Sequence, residues 1–128
     1  MINGVHVLFY SKDPEADRAF FRDVLEFPAL DIGRGWLLFA LPPAEAAVHP
    51  ASGNAEQTRV EPHQISAGVY LMCDDVCEVI ATLAARQVVC TEVHEEAWGL
   101  RTTIRFPSGG EIGLYQPTHQ TALHLGAR

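Results

Sequence analysis

Six histidines, three cysteines and a set of paired aromatic residues are the side chains here with usable chemistry. Cys73 and Cys77 are close enough to suggest a metal or redox pair. Cys73 ends a strand pattern and Cys77 opens a helical one, so both are read, with Cys90, as structural thiols. His94, His119 and His124 have no usable spacing and are assigned no role. The closing stretch RTTIRFPSGGEIGLYQP, Arg101–Pro117, is more informative. Its alternation puts Glu111, Gly113 and Tyr115 on one strand face and Ile112 and Leu114 on the other. The same period puts Tyr70 and Met72 on the face of Gly68. Trp98 precedes Gly99 in a polar loop, a position from which an indole stacks on a ligand or covers a dimer seam. Trp36 and Phe39 lie on opposite faces of their strand, so one is core and the other is a lining candidate. Arg101, Arg105 and Glu111 are charges that could orient a polar ligand at a cavity mouth.

Strands and helices must position these groups. Thr102–Phe106 has the β-branched content of a strand, and Ser108-Gly109-Gly110 supplies the positive-φ positions of a hairpin turn. Earlier, Val5–Tyr10 is an apolar run of strand length. Asp13-Pro14-Glu15 is a helix start, with cap, proline and first-turn acid in order. Ala16, Phe20, Phe21, Val24 and Leu25 form the apolar stripe, and Pro28 ends the helix. Ala29–Ile32, Trp36–Leu41 and Glu45–His49 are the next strand candidates. Gly68–Cys73 is a strand, Asp75 with Glu78 resembles a capping box, and Val76, Val79, Ile80, Leu83 and Ala84 make a second stripe. Val88–Val93 reads as a strand, His94–Gly99 as a loop or strand edge, and Thr118–Arg128 as a frayed or partner-packed tail.

A chain of 128 residues is one domain by length and can hold a core without staples. The net charge of −7 argues against a nucleic-acid partner, and no apolar run reaches membrane-spanning length. The odd cysteine count and the absence of a secretory leader pattern predict a reduced, cytoplasmic protein.

The halves repeat. Asp13 and Asp75 cap the two helices, and Glu45–Pro50 can be laid on Glu111–Pro117 with Glu on Glu and His49 on Tyr115. The expected fold is α+β: two βαβββ modules, 4–50 and 66–117, forming a curved mixed sheet around a cavity, with a connector at 51–65 and a tail at 118–128.

With these residues in place, the chain resembles the vicinal oxygen chelate superfamily of glyoxalases, extradiol dioxygenases, and fosfomycin- and bleomycin-resistance proteins. The His6 strand, Phe20–Phe27 (with Glu26 where the family has glycine) and Pro107–Tyr115 carry the resemblance, which covers residues 4–117. In the family's metal enzymes, the first and last strands of each half supply the ligands. The resemblance puts His6, Gly68, Ala47 and Gly113 at those positions, a single donor where a divalent ion needs about three. A register slipped by two residues would offer His6, His49 and Glu111, with His63 as a further candidate. That set resembles the two-His-one-carboxylate arrangement and would take zinc, nickel or iron in a lyase, isomerase or dioxygenase.

The preferred reading follows from the small residues. Ala47, Gly68 and Gly113 would leave room for a flat apolar group, lined by His6, Trp36, His49, Tyr70, Met72, Trp98, Arg101 and Tyr115. The bleomycin-resistance branch holds drugs in this way without a catalytic metal. The expectation is therefore a cofactor-free homodimer that sequesters an aromatic or antibiotic-like molecule and so confers resistance. The metal enzyme is the alternative, and a regulatory or accessory domain ranks behind both.

Overall fold

The structure is a computed structural model that describes residues 1–50 and 65–126. Nearly all of the expected connector, and His63, lie outside the described residues. The chain divides into two compact units, Met1–Leu41 with Arg105–Glu111, and Pro42–Ile104 with Ile112–Arg128.

The first unit is built on helix α1, Pro14–Asp23. Asp13 caps it by accepting from the Ala16 amide at 3.2 Å, and Pro14 stands in the first turn, where its missing N–H has no cost. The helix buries Phe20 and Phe21. Around them gather Phe9, Phe27, Phe39 and Phe106, so all six phenylalanines of the chain form one cluster. Phe21 meets four of the other rings at centroid distances of 5.2 to 5.7 Å, and Phe106 sits 4.5 Å from Phe20. Asp17, one turn into α1, fastens the turn of the closing hairpin. Its carboxylate accepts from the Ser108 hydroxyl at 2.7 Å, the Ser108 amide at 3.1 Å and the Ser11 hydroxyl at 2.6 Å. Strands β1, Ala29–Asp31, and β2, Leu37–Phe39, pair antiparallel across a turn in which Gly33 and Gly35 take positive φ.

The helix ends in a Schellman-type cap. Glu26 adopts φ +59°, and the Phe27 amide donates to the Phe21 carbonyl six residues back at 3.0 Å. This left-handed position is the one at which the resembling family carries glycine. Relief of the Cβ strain exceeds the entropy that glycine restores to the unfolded chain. Glu26→Gly is accordingly expected to stabilise the protein by about 0.5–1 kcal/mol, read as a raised urea midpoint.

The second unit carries a four-stranded mixed sheet of order β3-β6-β5-β4. Its strands are β3, Tyr70–Met72; β4, His94–Glu96; β5, Gly99–Arg105; and β6, Glu111–Pro117. β3 runs parallel to β6 and β4 antiparallel to β5. Helix α2, Val76–Ala84, is capped by Asp75, which accepts from the Glu78 amide at 3.1 Å, and it buries Val76 and Leu83. With Ile104, Thr102 and Leu114 these residues form the buried set of this unit. In sequence order the unit reads β-α-β-β-β, and the α+β expectation holds.

Three strand expectations differ from the structure. Val5–Tyr10 and Glu45–His49 form no strand, because neither has a ladder partner among the described residues. A single extended segment gains no backbone hydrogen bonds and stays at the surface. Val88–Val93 is reduced to a bridge between Cys90 and Ile104, and the paired strand lies farther on, at β4. The tail is better anchored than expected. The Thr118 amide donates to the Trp98 carbonyl at 3.0 Å, and a 3-10 turn spans Leu123–Gly126. Among the described residues, no helix is long and apolar enough to cross a membrane.

Candidate functional site

Pairing β3 parallel to β6 places Tyr70 opposite Gly113 and Met72 opposite Tyr115. The Tyr70 and Tyr115 rings then reach each other diagonally across the two strands, at 5.8 Å and nearly perpendicular. Trp98 enters from the turn between β4 and β5. Gly99, at φ +155°, passes so close to the Gln116 carbonyl that no side chain would fit there. This close approach sets the indole 5.1 Å from Tyr115 and 5.8 Å from Tyr70, both edge to face. The three rings form a mutually packed cluster with an exposed side: Tyr70 is 47% exposed and Trp98 37%.

His119 extends the cluster. Its Nδ1 lies 2.8 Å from the Gln120 carbonyl, which can only accept, so Nδ1 carries a proton and donates. In the neutral ring Nε2 then accepts from the Tyr115 hydroxyl at 3.4 Å. Glu45 is the other polar group acting on the cluster. One of its carboxylate oxygens, Oε1, is buried without a hydrogen-bond partner.

Burial, and then the charge of Glu45, push the Tyr115 phenol above its ordinary value of 10. A phenol whose pKa rises on folding contributes stability that is complete below the unfolded value and lost as pH climbs through the folded one. Stability is therefore expected to decline above pH 10. In alkaline absorbance titrations, the component lost in Tyr115→Phe should be one that ionises above pH 10 in the wild type.

Tyr70, Trp98, Gly113 and Tyr115 thus come together, but Gly113 does not leave the space expected of it. A Cβ there would run into the Tyr70 ring, so the volume freed by the glycine is filled from within the chain. Gly68 is exposed, and a Cβ on it would meet Tyr70 at an ordinary 3.9 Å. Met72 is half-buried on β3. Arg101 donates to Glu96 at 2.9 Å. Ala47 and His49 are exposed on the second unit.

His6 and Trp36 belong to the first unit, and the exposed Trp36 carries the Arg18 guanidinium over its ring, 4.5 Å from the ring centre. Among the described residues, no group of three or more His, Cys, Asp or Glu side chains could hold a metal ion, and His6, His49 and Glu111 form no such group. Burial, followed by Asp74, raises the Cys73 thiol, and burial raises Cys90, which disfavours the thiolates that metal ligation requires.

No family model matches the chain, and no curated protein is significantly similar to it. Solved structures do match. TnmS3, an antibiotic binding protein from Streptomyces sp. CB03234, superposes with a TM-score of 0.61 at 24% identity, covering 92% of this chain and 99% of that one. The chain has the glyoxalase/bleomycin-resistance fold. A lactoylglutathione lyase from Agrobacterium tumefaciens shares it at TM-score 0.58 and 18% identity, over 89% of this chain and 92% of that chain. So does a glyoxylase/bleomycin resistance protein/dioxygenase domain from Frankia sp. EAN1pec, at 0.56 and 14%, over 98% and 99%. The glyoxalase/bleomycin-resistance fold thus appears among these neighbours in both a binding protein and an enzyme, and at these identities the likeness concerns the fold alone.

Two residues of the cluster were not legible in the sequence. His119 lies beyond the end of β6, where strand periodicity says nothing. Glu45 stood out only as the repeat partner of Glu111.

Proposed function

We propose that this protein binds and sequesters a small, flat aromatic or antibiotic-like molecule on the Tyr70–Trp98–Tyr115 cluster, without a metal and as a homodimer. The observation that carries the reading is the exposed side of three nearly perpendicular aromatic rings, which offers stacking surface. The fold's use by an antibiotic binding protein supports it.

The magnitudes favour a second copy. A tricyclic ligand burying about 200 Å² of apolar surface on one platform gains about 5 kcal/mol. Ring geometry adds about 0.5–1.5 kcal/mol per pair. Micromolar affinity requires about 8 kcal/mol net of the association cost, so a ligand covered on one side falls short. A partner chain closing over the ligand would raise the buried area. The fully exposed Val48, in the same unit as the rings, supplies apolar surface for such an interface. Sequestration then follows from mass action, and no bond in the ligand need change.

Equilibrium dialysis against planar polycyclic antibiotics, with sedimentation velocity on the same samples, tests the proposal. It predicts saturable binding by a dimer and recovery of unaltered ligand. A monomer that binds none of the compounds would refute it.

A further inference from the structure

We propose that the ligand of the ring cluster carries a neutral carbonyl oxygen at its edge, as a quinone or cyclic ketone does, and that Arg101 is the residue that holds it. The inference rests on the binding reading above and adds the polar group of the ligand. Strands β5 and β6 are neighbours in the sheet. Their register is fixed at both ends: the Phe106 amide donates to the Gly110 carbonyl at 2.8 Å, and the Thr118 amide donates to the Trp98 carbonyl at 3.0 Å. Counting inward from either pair sets Arg101 directly opposite Tyr115, in a pair without backbone hydrogen bonds, where facing side chains stand closest. Their Cβ atoms are then about 5 Å apart on one face of the sheet. The Tyr70 ring covers Gly113, two residues before Tyr115, so that face is the one that carries the rings.

Arg101 is reachable there. Its side chain is 32% exposed, and its Nε donates to Glu96 Oε1 at 2.9 Å, which steers the guanidinium. The two terminal nitrogens take no partner among the described residues, and their N–H groups form a rigid fork that suits an oxygen acceptor. A plane stacked on the exposed sides of Tyr70 and Trp98 brings an edge oxygen to these nitrogens with one cross-strand step past Tyr115. Charge decides which oxygen. Glu96 already balances the guanidinium and the chain carries a net charge of −7, so a carboxylate meets no unpaired cation and must still shed its water. A neutral carbonyl accepts the same hydrogen bonds at a lower desolvation cost.

Three flat probes of similar shape test this at neutral pH: fluorene, with no oxygen; fluorenone, with a neutral carbonyl; and fluorene carboxylate, an anion. Equilibrium dialysis of trace probe against a protein series should show fluorenone binding about tenfold more tightly than fluorene, and the carboxylate more weakly than fluorenone. Arg101→Met keeps the stem and removes the donors, so in that variant fluorenone should fall to within about twofold of fluorene. An exposed ion pair adds little to stability, so the variant is expected to fold, and circular dichroism checks it. Glu96→Gln leaves the guanidinium charge unbalanced, and the carboxylate alone should gain, by about threefold or more. Equal affinity of the wild type for fluorene and fluorenone, or a fluorenone preference that survives Arg101→Met, overturns the assignment of Arg101 and leaves the stacking site standing. A carboxylate that binds the wild type most tightly overturns the selection of a neutral group. Failure of all three probes to bind the wild type overturns the site and the inference with it.

Discussion

Phe106→Ala should lower the unfolding free energy by about 3–5 kcal/mol, the usual effect of deleting a buried aromatic ring. Phe106 is 4% exposed and joins Phe20 at 4.5 Å and Phe21 at 5.2 Å, so its removal leaves both helix rings facing a void. The ring is also the inner anchor of the hairpin turn. Its amide donates to the Gly110 carbonyl at 2.8 Å, and its own carbonyl accepts from Gly109 at 2.9 Å. Domains of this size hold about 5–15 kcal/mol in all, so the variant is expected to be partly unfolded in mild urea. Phe106→Leu retains most of the volume and should lose less than about 2 kcal/mol. Urea midpoints of the two variants, compared at a common slope, give the answer. Equal effects would mean that the six-ring cluster does not hold the first unit together.

Gly113→Val is expected to act on the ring cluster and on stability together. The new side chain would stand where the Tyr70 ring lies, with even the ring's Cγ at 2.9 Å from the Cβ. A tilt cannot clear a clash at the stem of the ring, so Tyr70 must change its χ1 rotamer or the strands must part. Over-packing of this kind costs about 1–3 kcal/mol. Displacing Tyr70 also removes one wall of the stacking surface, and ligand affinity should drop at least about tenfold. Tyr70→Ala in the same chain gives the valine room. The double variant should recover part of the lost stability without recovering binding, a coupling of about 0.5–3 kcal/mol. Purely additive losses would mean that the ring and the glycine do not share that space.

Much of this architecture is legible in the chain itself, for physical reasons. Both helices announce themselves through Asp13 and Asp75, and each carboxylate takes the amide three residues on, as a cap must. The hairpin is legible because Ser108-Gly109-Gly110 can follow few other paths, and Gly109 takes φ +91°. Strand alternation put Tyr70 and Tyr115 on lining faces without knowing their register. That register, Tyr70 opposite Gly113, was beyond reach, because parallel pairing joins segments far apart in sequence and no local signal sets the offset. Gly113 was consequently read as open space when it is the seat of a neighbouring ring. Val5–Tyr10 and Glu45–His49 have strand composition, but composition cannot provide the partner a strand requires. Glu45 stands out in the sequence only as the repeat partner of Glu111, and His119 has no usable spacing, so neither is tied to Tyr115 there.

The proposed function makes the exposed ring cluster a surface that holds a ligand and leaves it intact. The chain has two tryptophans, so Trp36→Phe makes Trp98 the sole indole and a reporter within the cluster. Titration of this variant with planar polycyclic antibiotics, in chelator and again with added zinc, nickel or iron(II), is the most direct measurement. The account predicts saturable quenching of Trp98 in the micromolar range, the same with chelator and with metal, and recovery of the compound unaltered. Conversion of the compound that chelator abolishes, or indole fluorescence indifferent to every compound offered, would contradict it.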